Sequence, residues 1–232
     1  MDRCLDNHVT RLFLPNVDSE SLGLVAGLTN EYPDHCFPMT GLHPCNVKEN
    51  YLEELEYLRT NGLSSVVAIG EIGIDLYWDK STLAIQQDAF RRQIKWAKEL
   101  DLPIVIHCRE AFDEVYAILM EEKDEKLRGI FHCFSGTIEQ ARRIIELNFY
   151  LGIGGVLTYK NSGLDKVIEQ VELDYIVLET DSPYLAPVPF RGKTNESSYL
   201  PYIAAKVAAI KNLRIEEVAE VTTENSKRIF GI

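Results

Sequence analysis

Seven short apolar runs recur along this chain with a helical pattern in nearly every gap, and that alternation leaves few folds open. The runs end near Asn16, His43, Glu71, His107, His132, Gly154 and Asp181, with successive ends about 22 to 36 residues apart. Strand–helix units of this length imply an α/β fold with a parallel sheet and right-handed crossovers. A doubly wound sheet satisfies that pattern, and so does a (β/α)8 barrel of the TIM type. Polar residues end so many of the strands that the barrel is preferred, because its active sites lie on the face where strands end. Seven strands are counted where closure needs eight, so the first strand is read as missing.

Strands are expected at residues 10–17, 36–44, 66–75, 102–109, 128–136, 149–157 and 175–181. Helices are expected at 21–31, 49–60, 82–100, 111–122, 137–147, 164–170, 199–211 and 215–230, and residues 1–9 read as the tail of another, with Leu5 and Val9 on one side. Leu52, Leu55 and Leu58 mark the apolar face of the second of these helices. Thr137 and Gln140 make a capping box for the fifth. Pro183, Pro187 and Pro189 keep the loop after the last strand from becoming helical.

The 232 residues are 46% hydrophobic, enough for one domain (1–232) with a sizeable core. No stretch approaches the roughly twenty apolar residues of a membrane span. Five cysteines, an odd number without CxxC spacing, indicate a reduced, cytoplasmic protein. Alternation along the strands directs Cys108 and Cys133 toward packing. A net charge of −12 argues against gripping nucleic acid through a broad basic surface. It leaves room for a protein that meets phosphate through bound cations.

Two strands end alike, in LPIVIHCR and RGIFHCFSG, each presenting a histidine where an apolar strand gains nothing from one. Glu71 and Asp181 end two further strands. Two imidazoles and two carboxylates at converging strand ends suit a divalent metal, Zn²⁺ or Mn²⁺, with Mg²⁺ where carboxylates dominate. Glu71, His107, His132 and Asp181 are therefore the candidate ligands. His43, in GLHP, reads either as a loop-bonding histidine or as a residue contacting substrate. Asp75 suits a loop cap, while Glu179 shares a strand face with Asp181 and suits orienting a ligand or a basic residue. Arg191, Lys193 and Asn195, around Gly192, make either a phosphate cradle or a solvated loop. Arg109, two residues after His107, is placed to meet an anion.

Seven segments together resemble the TatD family of metal-dependent deoxyribonucleases, within the amidohydrolase-like TIM barrels. They are GLHP, GEIGID, IHCR, FHCFSG, ETDSPYL, RGKTN and the terminal TENSKRIFGI, in the family's order and over nearly the whole chain. The resemblance implies two divalent ions, with Glu71 shared between them, Asp181 on the same ion, and His107 and His132 on the other. It implies hydrolysis of DNA or nucleotide phosphodiesters by a metal-activated water, as a 3′-5′ exonuclease, with Asp181 and Glu71 catalytic. His43, Arg109, Arg191, Lys193 and Asn195 would bind substrate. Hydrolysis of small amides or esters on the same scaffold is the alternative. Ser197 stands where the family's loop carries proline. The family's opening strand, with an HxH pair, has no counterpart here, so a longer natural protein or a truncated, catalytically impaired metal-binding form is expected. A monomer without obligate protein or membrane partner completes the reading.

Overall fold

Runs rich in β-branched and aromatic residues become strands as expected, but most stop short of the polar residues that follow them. A computed structural model describes all residues, Met1–Ile232, and the chain divides into two compact units. One is Arg11–Ile130; the other is Phe131–Ile232 together with Met1–Thr10.

Helix α1 (Asp2–Asp6) belongs to the second unit and is shorter than expected. His8, at φ 59°, ends it, so Val9 lies outside the helix, and Cys4 rather than Leu5 is buried. Arg3 Nε donates to both carboxylate oxygens of Glu196 at 3.0 Å, tying α1 to the loop before the last two helices.

Within Arg11–Ile130, strands β1 (Leu12–Pro15), β2 (Cys36–Thr40), β3 (Ala68–Asp75) and β4 (Ile104–Arg109) pair in parallel in that order. Helices α2 (Leu22–Glu31), α3 (Tyr51–Asn61), α4 (Leu83–Leu100) and α5 (Phe112–Glu121) fill the crossovers and the segment after β4. Strand β3 is a near-continuous buried run, as a strand covered on both faces should be, while all four residues of β1 are half-buried. Leu55 and Leu58 of α3 are buried, but Leu52 is 49% exposed. Steps of three residues drift by about 60° around a helix, which carries Leu52 off the buried arc. The long helix α4 buries Phe90, Ile94 and Ala97, and on the same side two glutamines, Gln86 and Gln93.

The β3–β4 register slips between Ile69 and Ile72, directly around Glu71. Such irregularities re-aim a side chain next to the break. Downstream, Gly73 has φ 140° and lies so close to β4 that a Cβ would stand 2.0 Å from the His107 carbonyl oxygen. Only glycine permits that approach, and it sets His107 directly beside β3.

Strand β5 (Gly129–Phe131) ends the first unit and passes into the second, where α6 (Ile138–Glu146), β6 (Phe149–Ile153), α7 (Leu164–Gln170), β7 (Ile176–Leu178), α8 (Leu200–Lys211) and α9 (Ile215–Phe230) follow. β6 and β7 are parallel, pairing Leu151 with Ile176 and Ile153 with Leu178. The Thr137–Gln140 capping box opens α6 in both of its bonds. Buried Asn225 of α9 donates to the carbonyls of Leu173 (2.9 Å) and Ile176 (2.8 Å), fixing the start of β7.

All seven strands are shorter than expected, and β2, which ends at Thr40, leaves His43 in the turn beyond it. β5 stops at Phe131 and β7 at Leu178, so His132 and Asp181 lie in the turns beyond them. β6 ends at Ile153, and Gly155–Thr158 coils into a 3-10 turn, with Leu157 N–H returning to the Gly154 carbonyl at 3.1 Å. Consecutive glycines there offer no branched side chains to hold the backbone extended. No helix is long and apolar enough to cross a membrane.

Candidate functional site

In the first unit the site begins with the GLHP turn, which is pinned residue by residue. Gly41 N–H donates to Asn16 Oδ1 (2.8 Å), Leu42 N–H to Gln93 Oε1 (2.6 Å) and His43 N–H to the Val17 carbonyl (2.9 Å). His43 Nδ1 accepts from Cys45 N–H at 3.1 Å, which holds the ring over the turn. Its Nε2 then lies 3.1 Å from His107 Nδ1 and 3.6 Å from Glu71 Oε2. On its other side, His107 Nε2 meets Asp75 Oδ2 at 2.8 Å. Asp75 is itself fixed: its Oδ1 accepts from Tyr77 N–H (2.9 Å), and Gln86 bonds its backbone N–H and carbonyl at 2.8 and 3.1 Å.

These bonds decide the tautomers of the neutral rings. His43, accepting at Nδ1, carries its proton on Nε2 and points it at His107 Nδ1. His107 therefore carries its proton on Nε2, toward Asp75, and accepts from His43 at Nδ1, with Glu71 Oε2 3.9 Å from the same nitrogen. Burial works against the Asp75 charge, but the bonds from His107, Tyr77 and Trp78 outweigh it and lower its carboxyl to about 2. It remains a carboxylate, the form that holds a ligating histidine in register.

The second unit repeats the arrangement. His132 Nδ1 lies 3.0 Å from Glu179 Oε2, and the other Glu179 oxygen accepts from Cys133 N–H at 2.8 Å. Glu179 thus orients the ring, and His132 Nε2 faces Asp181 Oδ1 at 3.7 Å. The approach needs Gly152, where a Cβ would stand 2.5 Å from Glu179 Oε2. Cys133 is not directed to packing as alternation suggests. The strand has ended, Cys133 takes φ 47°, and it groups with His132 and Glu179.

Asp181 also holds a left-handed backbone, φ 57°, unusual for a side chain larger than glycine. Asn195 clamps it from both sides, its Nδ2 donating to the Thr180 and Tyr184 carbonyls at 2.6 Å each while its Oδ1 accepts from Glu196 N–H. Asn195 is buried, so its amide serves the loop that carries Asp181. Arg191 and Lys193 are exposed, and the Arg191 guanidinium lies 4.2 Å from the centre of the Tyr159 ring. Arg109 lies 3.7 Å over the ring of Tyr77.

Facing atoms of His43, Glu71 and His107 lie within 4.8 Å of one another, and with the His43 Nε2 protonated, Glu71 and His107 Nδ1 are the two of them that can bind a cation. Ligands bound at about 2.2 Å stand up to about 4.4 Å apart, so the 3.9 Å between His107 Nδ1 and Glu71 Oε2 fits a divalent ion between them. Mixed imidazole and carboxylate donors suit Zn²⁺ or Mn²⁺. The part played by Gln86 and Gln93 was not read from the sequence, although two glutamines seven residues apart on an apolar helix face signal it.

The sequence pattern described as TatD related DNase matches residues 1–231. The chain is 42% identical to the uncharacterized metal-dependent hydrolase YabD of Bacillus subtilis (strain 168), over all of this chain and 91% of that one. It is 31% identical to the 3′-5′ ssDNA/RNA exonuclease TatD of Yersinia pseudotuberculosis, over all of this chain and 92% of that protein. The crystal structure of YJJV, a TatD homolog from Escherichia coli k12, superposes with a TM-score of 0.93 at 28% identity, covering 100% of this chain and 90% of that one. Its likeness makes the fold α/β, of the TatD barrel class, as the strand–helix alternation predicts. The chain belongs to the TatD family of metal-dependent hydrolases.

Proposed function

We propose that this protein is a phosphodiesterase that removes nucleotides from the 3′ end of single-stranded DNA, in the cytoplasm, with two divalent ions. One observation carries the reading. His107 and His132 each give one ring nitrogen to a structural carboxylate, Asp75 or Glu179, and turn the other toward a second carboxylate, Glu71 or Asp181. Glu71, His107, His132 and Asp181 are the proposed ligands. Divalent ions held there would lower the pKa of water and offset the charge of a phosphate.

The remaining roles fall to the chain's own groups. Asp181 Oδ1 takes the proton of the attacking water, and Glu71 shares in the chemistry as a second carboxylate. His43 Nε2–H, which lies against His107 Nδ1 in the free protein, would turn to a substrate oxygen once that nitrogen takes an ion. Arg191 and Lys193 hold a phosphate, supported by Arg109. Asn195 keeps Asp181 in its left-handed position. The Yersinia relative's name supports nucleic acid as the substrate class.

The test is a single-stranded oligonucleotide labelled at its 5′ end, incubated with Mg²⁺ or Mn²⁺ and resolved by length. A ladder shortening from the 3′ end is expected, and Asp181→Asn should abolish it while leaving the melting temperature unchanged. Full cleavage by that variant, or turnover of small esters in preference to the oligonucleotide, would overturn the proposal.

A further inference from the structure

Beside the His107 cluster stands a group of side chains that no step above uses in full. Tyr77 and Trp78 follow Asp75 after the buried Leu76 and are 49% and 72% exposed. Their rings meet edge to face, centroids 4.8 Å apart and planes at 89°. The Arg109 guanidinium lies 3.7 Å from the Tyr77 ring centre and 5.7 Å from that of Trp78. The β3–β4 register sets Arg109 opposite Asp75, and Leu76 N–H donates to the Arg109 carbonyl at 2.9 Å, so the group is rigidly attached to the strand ends that carry the cluster. Trp78 also walls a cavity of about 240 Å³ with Pro44, Lys48, Asp79 and Thr82.

An indole exposed to this degree leaves a large apolar face in water, which covering would recover. Nothing in a globular fold requires that exposure. Trp78 stands perpendicular to Tyr77, so one ring cannot cover the other. A flat, π-faced group carrying negative charge nearby complements this surface: the aromatic faces meet the ring, and Arg109 and Lys48 meet the charge. An unpaired nucleobase with its flanking phosphates has that chemistry. A base inside a duplex does not, because its faces are already stacked.

We propose that Tyr77, Trp78 and Arg109 form a stacking platform for an unpaired nucleobase, and so select single-stranded over double-stranded substrate. The platform rests on the phosphodiesterase reading for its substrate class, but its test is a binding measurement. The chain has two tryptophans, and Trp96 is buried, so fluorescence quenching by an added strand reports on Trp78.

The full chain is titrated, in Ca²⁺, with a (dT)10 oligonucleotide, with a duplex of equal length, and with an abasic deoxyribose-phosphate oligomer. Quenching by (dT)10 is expected, with the duplex and abasic oligomers binding about ten-fold more weakly, the scale of one stacked base. By anisotropy of a labelled (dT)10, Trp78→Ala should weaken binding about ten-fold and Trp78→Phe far less, both at an unchanged melting temperature. Absence of quenching, equal affinity for the abasic oligomer, or wild-type affinity in Trp78→Ala would overturn the platform. If Trp78→Ala binds normally while 3′ shortening persists, the platform alone fails. If (dT)10 stacks as expected but is never cut in Mg²⁺ or Mn²⁺, the platform stands and the cleavage reading fails.

Discussion

Asp75 Oδ2 accepts from His107 Nε2 at 2.8 Å while its other oxygen accepts from the Tyr77 backbone N–H. One carboxylate therefore fixes both the tautomer of a proposed ligand and the turn that follows β3. Asp75→Asn should lower affinity for Mn²⁺ or Zn²⁺ by about 10- to 100-fold, the usual effect of losing such a support. Calorimetric metal titration of the two proteins measures it.

The same residue gives the acid limb of stability a predictable shape. Its carboxyl is held at about 2, below its unfolded value, so its contribution is fully present above about pH 4 and lost as pH falls through about 2. The contribution is of the order of 2 kcal/mol. Urea unfolding at pH 5 and pH 2.5 should show a smaller drop in Asp75→Asn than in the wild type.

Asn195 should prove more important to the loop than its exposed neighbours Arg191 and Lys193. Asn195→Ala leaves the Thr180 and Tyr184 carbonyls without their donor, at about 1 kcal/mol for each lost bond. It should lower both the melting temperature and kcat, since Asp181 loses its clamp. Arg191→Ala should raise KM and leave the melting temperature alone.

Gln93→Leu removes the partner of Leu42 N–H from beneath the His43 turn. A loss of about 1–3 kcal/mol is expected by chemical denaturation. Metal affinity should fall with it if the turn positions His43 and His107 together.

Gly73→Ala tests the backbone approach of β3 to β4. The added Cβ would stand 2.0 Å from the His107 carbonyl oxygen at φ 140°. A cost of about 3 kcal/mol or more is expected, with poor soluble yield as the first sign and denaturant midpoint as the measurement.

Burial pushes the Cys108 thiol up to about 12 and, with the Asp75 charge beside it, the Cys45 thiol up to about 11. Both should be alkylated by iodoacetamide far more slowly at pH 8 in the folded protein than in urea, because the thiolate is the nucleophile. Mass spectrometry of peptides after timed labelling distinguishes the two sites.

Several features followed from the chain alone. Apolar runs and capping residues located all seven strands and nearly every helix boundary, because each is a local preference or a local period. Glu71, His107, His132 and Asp181 were legible as candidates because polar residues ending apolar strands demand a reason. Asp75 is legible only as a cap, and the bond to His107 is not, since it joins residues 32 apart on neighbouring strands. Glu179 was read as an orienting group, but its partner was not. Alternation sends Cys133 toward packing only if the strand continues, and it stops at Phe131.

Local sequence thus determined the elements, their order and the residue types offered at their ends. Tertiary structure alone decided which nitrogen of each histidine carries the proton, which carboxylates orient and which face outward, and that Gln86 and Gln93 hold the strand ends. Those outcomes depend on distances of a few tenths of an ångström between segments far apart in the chain, and no periodicity encodes them. The two histidines look alike in sequence. What makes them comparable as ligands is the pair of carboxylates behind them, Asp75 at 2.8 Å and Glu179 at 3.0 Å.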